Sequence, residues 1–421
     1  MSISRFLEFY TARLTRRYLT FEKYSHPSPP KPGQDTSYLL YVHIPFCEEL
    51  CPYCSFVRVK FEESLASRYF RALQREIEIY HDMGYRFDSV YIGGGTPTIM
   101  PEKLAGIIEY IKSKWTIRQI SVETNPNHLV PEILGILKDA GTNRLSVGVQ
   151  TFDNEVLASV QRLEKYGTGQ EIKEKLCRVN GMFDTLNLDM IFNFPNQTGR
   201  MVAHDVDTIN EIKADQITYY PLMVSNDRKE ELTRRCGRID HRRERQLYKI
   251  IVDRLADMYD RQSVWCFSCK KGVVDEYILD HDEYAGLGLG SWGYMNGTMY
   301  SNTFSIEHYI NMLTGNRHPI VSYRNFSGRE RMHYNLLLKL LEGSMKISDM
   351  KKQFGNRFWL GLFKELSFLF AIRAITFGNN SIQLTAKGRY YHLVLMRTFF
   401  SAVGDYRSHR IIADSAAVPI E

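Results

Sequence analysis

No run of roughly 18 apolar residues occurs in the chain, so no segment is expected to span a membrane. Charge of one sign is scarce as well. Lys and Arg number 54 against 48 Asp and Glu, and the net charge of +6 does not by itself imply nucleic-acid binding. The N-terminal stretch MSISRFLEFYTARLTRRYLTF has Arg and Glu breaking its apolar residues, so the continuous apolar core of a secretory signal is missing. It is expected to form a helix packed on the body of the protein, with a basic amphipathic helix on a membrane surface as the alternative. Cysteine is sparse, seven in 421 residues, with three of the seven clustered; this fits a reducing, cytoplasmic setting better than a disulfide framework. What is plentiful is apolar residue, 44% against 24% charged, ample for a large core in a chain too long for one small domain.

The clustered cysteines are Cys47, Cys51 and Cys54, spaced C-x3-C-x2-C in YVHIPFCEELCPYCSF (41–56), on a loop leaving a strand-like run at 38–44. Three thiolates this close can reach one inorganic cluster without help from distant chain, and iron–sulfur clusters are held by just such cysteines, usually four. Three leave one iron open to a substrate or cofactor, as an open position does on a catalytic metal. Zinc is the competing reading. It needs a fourth ligand, for which His43 is the candidate, although Pro45 stiffens the turn between them and the C-x3-C step is unusual for zinc knuckles.

After a proline-rich linker at 26–34, strand-like runs at 38–44, 89–93, 119–123, 144–149, 185–191 and 216–222 alternate with helical patterns such as 62–82, 101–114, 131–139 and 199–214. The alternation predicts βαβ units, a parallel sheet buried on both faces and, with six units, an incomplete barrel. In parallel α/β architectures the site lies at the carboxyl ends of the strands. Gly93-Gly94-Gly95-Thr96-Pro97 ends the second strand, where the backbone can approach a ligand and offer unpaired N–H groups to a carboxylate. Glu123 ends the third strand and Gln150 the fourth; Arg162 follows on the next helical segment, and Asp189 lies near the end of the fifth strand. Acid, amide and base at successive strand ends point to a site.

The basic run at 234–245 is expected to open a long helix reaching 259 with a solvated face, recognition of an acidic substrate being the alternative. Cys266 and Cys269 form a lone C-x2-C, read as buried thiols on a strand rather than a metal or redox pair. From about 327, helices and a hairpin around Gly378-Asn379-Asn380 predict a winged-helix-like appendage, with a loose tail after Ser401. The expected division is 1–36, N-terminal helix and linker; 37–325, partial barrel with a closing segment; 326–421, C-terminal helical winged-helix-like lid and tail.

The cysteine spacing with its following aromatic resembles the radical S-adenosylmethionine (SAM) signature, and HIPFC is similar to its form in the branch of oxygen-independent coproporphyrinogen III oxidase and the related heme chaperones. The resemblance implies an α/β fold with a (β/α)6 partial barrel, a [4Fe-4S] cluster on Cys47, Cys51 and Cys54, and SAM chelating the unique iron through its amino and carboxylate groups. It implies that Gly94, Gly95 and Thr96 belong to the segment that binds the SAM amino group. Tyr41 and Tyr53 match positions beside the cluster and the adenine, and Glu123, Gln150, Arg162 and Asp189 match SAM contacts. A second SAM is implied at Gly95, Thr96, Pro221 and Trp292, the last two standing where the oxidase has other residues. YAGLGLGSWG (284–293) is similar to the segment that closes the site, and the C-terminal region is implied to cover the substrate. The implied electron donor is of flavodoxin or ferredoxin type.

Departures from the relatives narrow the expectation. The oxidase carries a further Cys two positions after the third ligand, where this chain has Ser55 and then Phe56. The heme chaperones resemble one another in an HNxxYW segment and a GAHS segment, where this chain has DHDEY (280–284) and GSWGY (290–294). The remaining group, methyltransferases and cyclopropane-forming enzymes that use two SAM molecules, sets the expected function: reductive SAM cleavage with methyl or methylene transfer to an sp2 carbon. The alternatives are a tetrapyrrole enzyme, by decarboxylation or anaerobic heme opening, and a heme-binding chaperone. An aromatic content of 13%, with 26 Tyr, suits a flat unsaturated substrate.

Overall fold

The computed structural model describes residues 2–23, 28–33, 36–270, 281 and 283–416. Parts of the proline-rich linker and of the 280–284 segment therefore lie outside the described residues. Six parallel strands form the centre: β1 (Tyr38–Ile44), β2 (Phe87–Gly94), β3 (Gln119–Thr124), β4 (Arg144–Gln150), β5 (Thr185–Phe192) and β6 (Gln216–Pro221). They stand in chain order, each paired parallel with the next. Every residue of β1 is buried, as the unbroken apolar run of a strand covered on both faces requires. The crossover helices begin where the chain supplies starts: Pro101 and Pro131 hold the fixed φ of a first helical position, and Thr168 with Glu171 forms a capping box.

The sheet extends past this core on both sides. β7 (Cys266–Ser268) runs antiparallel to β6. At the other edge β8 (Tyr284–Leu287) lies parallel to β1, and β9 (Trp292–Met295), β10 (Thr298–Asn302) and β11 (Ile320–Asn325) add antiparallel strands. The glycine-rich stretch expected to close the site thus forms a strand bonded to the strand that feeds the cysteine loop. The fold is an α/β partial barrel with a C-terminal helical region, in which Ser344–Lys346, Ile375–Gly378 and Ser381–Leu384 make a small antiparallel sheet. Asn379 and Asn380 turn its hairpin with φ of 48° and 56°, the left-handed values a tight two-residue turn needs.

Two expectations fail locally. The basic run does not start one long helix: helix Asn226–Cys236 stops at Gly237, whose φ of +93° ends the helical path, and Glu244–Leu255 is a separate helix. Nor is the run a plain solvated face, since Arg243 donates to the Phe194 carbonyl at 2.6 Å and to Asn193 Oδ1 at 3.3 Å. Between Ser401 and Ala416 the chain is not loose either. It continues as helix Ala386–Ala416, with Val403 and Gly404 buried, and packs against the N-terminal helix Ile3–Tyr18. Leu7, Thr11 and Thr15 bury the inner face of that N-terminal helix, which is therefore packed on the body as expected. Among the described residues no helix is long and apolar enough to cross a membrane.

One buried carboxyl joins the outer layer. Glu76, on helix Glu63–Asp82, accepts from the Gly288 N–H (2.8 Å), Asn302 Nδ2 (2.7 Å) and the Tyr309 hydroxyl (2.5 Å). Burial outweighs these three donors and pushes the carboxyl up to about 7 from its ordinary 4.5. A raised carboxyl contributes its full stabilisation below the unfolded value and loses it as pH rises through the folded one. The difference in melting temperature between wild type and Glu76→Gln should therefore move in the variant's favour between about pH 5 and about pH 7.5. Anaerobic thermal scans check this, and a difference that ignores pH overturns the assignment. Glu76→Ala leaves three donors bare and should cost about 3 kcal/mol or more.

Candidate functional site at the strand ends

The cysteine loop is held at both ends. Phe46–Cys47 pairs parallel with Val59–Lys60, the Phe61 N–H reaches the Cys47 carbonyl at 2.8 Å, and the Cys54 N–H reaches the Cys51 carbonyl at 3.3 Å. Arg58 spans the loop from beneath, donating to the carbonyls of Cys51 (3.1 Å) and Cys54 (2.7 Å). Cys47 is buried and the other two cysteines are partly buried.

The ends of β2, β3 and β4 meet this loop. Thr96 Oγ1 donates toward Cys47 Sγ at 3.8 Å and accepts from Asn125 Nδ2 at 2.9 Å. Asn125 Oδ1 in turn accepts from Arg162 Nη2 at 3.3 Å, and Arg162 Nη1 donates toward Cys51 Sγ at 3.8 Å and Tyr53 Oη at 3.4 Å. A single polar circuit therefore runs from one cysteine, through Thr96, Asn125 and Arg162, to the next. Arg162 is further fixed by the Gly148 carbonyl at 2.5 Å and by the Tyr166 ring, 4.0 Å from its guanidinium carbon.

The glycines at the end of β2 act differently from the expectation. Their N–H groups are not free: Gly94 donates to Glu123 Oε2 (3.0 Å), Gly95 to the Ile44 carbonyl (2.8 Å) and Thr96 to the Phe46 carbonyl (2.8 Å). What requires glycine is room. A Cβ on Gly94, where φ is +124°, would lie 2.8 Å from the His43 ring and the Ile44 carbonyl, and one on Gly95 would lie 2.6 Å from the Phe46 carbonyl. A strand end whose N–H groups are spent suits a ligand's amino group better than its carboxylate.

The remaining expected residues divide into groups. Glu123, held by the Tyr91 hydroxyl (2.9 Å) and Gly94, faces the glycine turn. Gln150 ends β4 beside a bulge with φ of +74°, a strained backbone of the kind that re-aims a side chain next to a site. Asp189 accepts from Ser146 (2.7 Å) and Asn187 (3.0 Å) in a row of interior polar groups. Tyr41 is buried and bonds His43 Nδ1 at 2.9 Å. Pro221 closes β6, while Trp292 stands on β9 with its ring against Phe21 and Tyr406, so the two lie on strands that flank the parallel core at either end.

His43 is not available as a zinc ligand. Its Nε2 donates to the Val57 carbonyl at 2.8 Å, its Nδ1 accepts from Tyr41, and burial pushes it down to about 4, so the ring is neutral and fully committed. Among the described residues no group of three or more His, Cys, Asp and Glu is arranged around a single ion. The C-x2-C reading holds only by half: Cys266 is buried on β7, whereas Cys269 is exposed with its thiol toward the Asp215 carbonyl at 3.4 Å.

The donor set fits a polynuclear cluster. Burial, then the neighbouring Cys54, pushes the Cys47 thiol up to about 11, so Cys47 would give up its proton to metal on loading. Arg58 Nε and Arg162 Nε are buried without an acceptor beside these sulfurs, as cations set to face added negative charge would be. Arg58, Asn125 and Tyr166 lie outside the set expected from sequence; only Arg58, four residues past Cys54, sits close enough in sequence for motif reading to have found it.

Residues 41–209 match the Radical SAM superfamily. The chain is 29% identical to heme chaperone HemW of Bacillus subtilis, over 76% of this chain and 86% of that one, and 30% identical to heme chaperone HemW of Lactococcus lactis, over 64% and 73%. Coproporphyrinogen III oxidase of Escherichia coli shares the fold with a TM-score of 0.73 at 20% identity, over 86% of this chain and 90% of that one. The chain belongs to the radical SAM superfamily, in the branch of oxygen-independent coproporphyrinogen III oxidase and the heme chaperones, whose cofactors are a [4Fe-4S] cluster and SAM.

Proposed function

We propose that this radical SAM protein handles a tetrapyrrole, binding heme or a close relative over its cluster, rather than moving a methyl or methylene group. The observation that carries this reading is the extent of the likeness to heme chaperones, which covers most of both chains. The comparisons favour it over the methyl-transfer expectation. A tetrapyrrole is also the flat, unsaturated ligand that the aromatic content suits.

When bound, the cluster and SAM supply reductive cleavage of the sulfonium to methionine and a 5′-deoxyadenosyl radical. The chain's own residues do the rest. Cys47, Cys51 and Cys54 hold iron, and Arg58 and Arg162 oppose the negative charge that loading brings. Glu123, beside the glycine turn, would take the SAM amino group, and Tyr53, fixed through Arg162, would border the adenine. Gln150 would complete the wall at the end of β4, with Asp189 deeper on β5. The reducing electron would come from a flavodoxin or ferredoxin-type donor. Ser55, in the place next to the oxidase's further Cys, accepts from the Ser225 N–H at 3.0 Å and so has a structural task of its own.

Anaerobic reconstitution of a variant with Cys47, Cys51 and Cys54 all changed to Ala should lose about four irons per chain. Iron and sulfide assays read this, and a normal cluster in that variant refutes the ligand set. Reconstituted wild type should bind hemin with a shifted Soret band and, when reduced, release 5′-deoxyadenosine from SAM. With methyl-deuterated SAM that nucleoside should stay free of deuterium; label in it would restore the methylene-transfer reading.

A further inference from the structure

We propose that Arg407, on the C-terminal helix, anchors a carboxylate of the ligand at the mouth of the barrel. The inference rests on the tetrapyrrole reading above and adds to it the residue that reads the ligand's acidic side chain.

Helix Ala386–Ala416 passes directly over the cysteine loop. Gly404 lies so close that a Cβ there would sit 3.1 Å from Ser55 Cβ and 3.4 Å from Ser225 Cβ. One residue on, Asp405 accepts from the backbone N–H (2.6 Å) and Nδ2 (2.8 Å) of Asn226, which commits the nearest acid of the helix to the barrel rim. Tyr406 packs on Trp292 and Phe21 and shares a hydrogen bond with Ser322 at 3.1 Å. These contacts fix the turn that carries Arg407.

Its guanidinium lies 5.4 Å from the centre of the Phe56 ring, two residues after Cys54, and within electrostatic reach of Tyr41, His43 and Tyr284. Those three groups are neutral hydroxyls and a neutral imidazole. Among the described residues no carboxylate pairs with Arg407, and its Nε is buried without an acceptor. A half-buried cation facing neutral groups is costly unless an anion completes it. The planar fork of a guanidinium matches a carboxylate with two parallel hydrogen bonds. The Phe56 ring beside it is 53% exposed, so a flat ring system can approach from solvent and lie on the aromatic face while its acid reaches Arg407.

The carboxylate could come from the tetrapyrrole or from the methionine part of a SAM molecule, and one experiment separates them. Hemin and its dimethyl ester are titrated into anaerobically reconstituted wild type, Arg407→Gln and Arg407→Lys, with SAM affinity measured on the same samples. Wild type should prefer hemin to the ester; Arg407→Gln should bind hemin about tenfold or more weakly and lose the preference. Arg407→Lys, which keeps the charge, should recover part of it. Equal binding of acid and ester by wild type overturns the proposal, as does an equal loss of both ligands in Arg407→Gln. A fall in SAM affinity as large as the fall for hemin assigns the cation to SAM and also overturns it. If wild type binds neither porphyrin, the tetrapyrrole reading fails and takes this proposal with it.

Discussion

The site depends on two stretches of backbone lying closer than side chains allow. The loop after β1 runs along the end of β2 with the Gly95 and Thr96 N–H groups bonded to the carbonyls of Ile44 and Phe46. That contact needs Gly94 and Gly95, because a Cβ on either would stand within 2.8 Å of backbone. It places Thr96 against Cys47 and, through Asn125 and Arg162, sets the distance to Cys51. If the loop slid by one residue, the sulfurs would lose their register with every polar group at the strand ends together.

Charge is arranged to serve that register. Two arginines approach the sulfurs, Arg58 through carbonyls of the loop and Arg162 through the sulfur and the wall. Each is tied by at least two hydrogen bonds, so neither can swing to meet an ion elsewhere; the fork geometry of arginine makes this possible where lysine would give a single mobile charge. Burial opposes the thiolate form strongly enough to raise Cys47 although Arg58 pulls the other way. Deeper in the barrel, Asp189, Ser146, Asn187 and Thr218 bond one another, which lets polar residues fill the interior without unpaired charge.

How far the sequence could be read follows from which forces are local. Strand positions were legible because apolar runs such as 38–44 must be buried on both faces, and the cysteine triplet was legible because its three ligands share one loop. The helix break at Gly237 was missed because the run's charge masked a backbone signal. The glycine N–H groups were misjudged because their partners, Ile44 and Phe46, lie some fifty residues earlier in the chain. Asn125 and Tyr166 carry no pattern of their own; only the fold brings them to Arg162. The C-terminal helix was underestimated for the same reason, since its contacts at Gly404 and Tyr406 are with chain more than eighty residues away.

That helix decides how the site opens. Arg397 pairs with Glu244 at 2.8 Å and with Glu8 at 2.5 Å, and Glu244 is almost wholly buried. A buried ion pair contributes little net stability, but removing one partner strands a charge at a cost of about 3–5 kcal/mol, so the helix cannot lift from this anchor alone. Asp405 on Asn226 and Gly404 on Ser55 pin it again near the cysteines. The C-terminal helix is therefore a cap seated over the cysteine loop, with the exposed ring of Phe56 beside it. Ser55 follows Cys54 directly and touches the cap. The backbone that carries the third cysteine is thereby packed against the C-terminal helix.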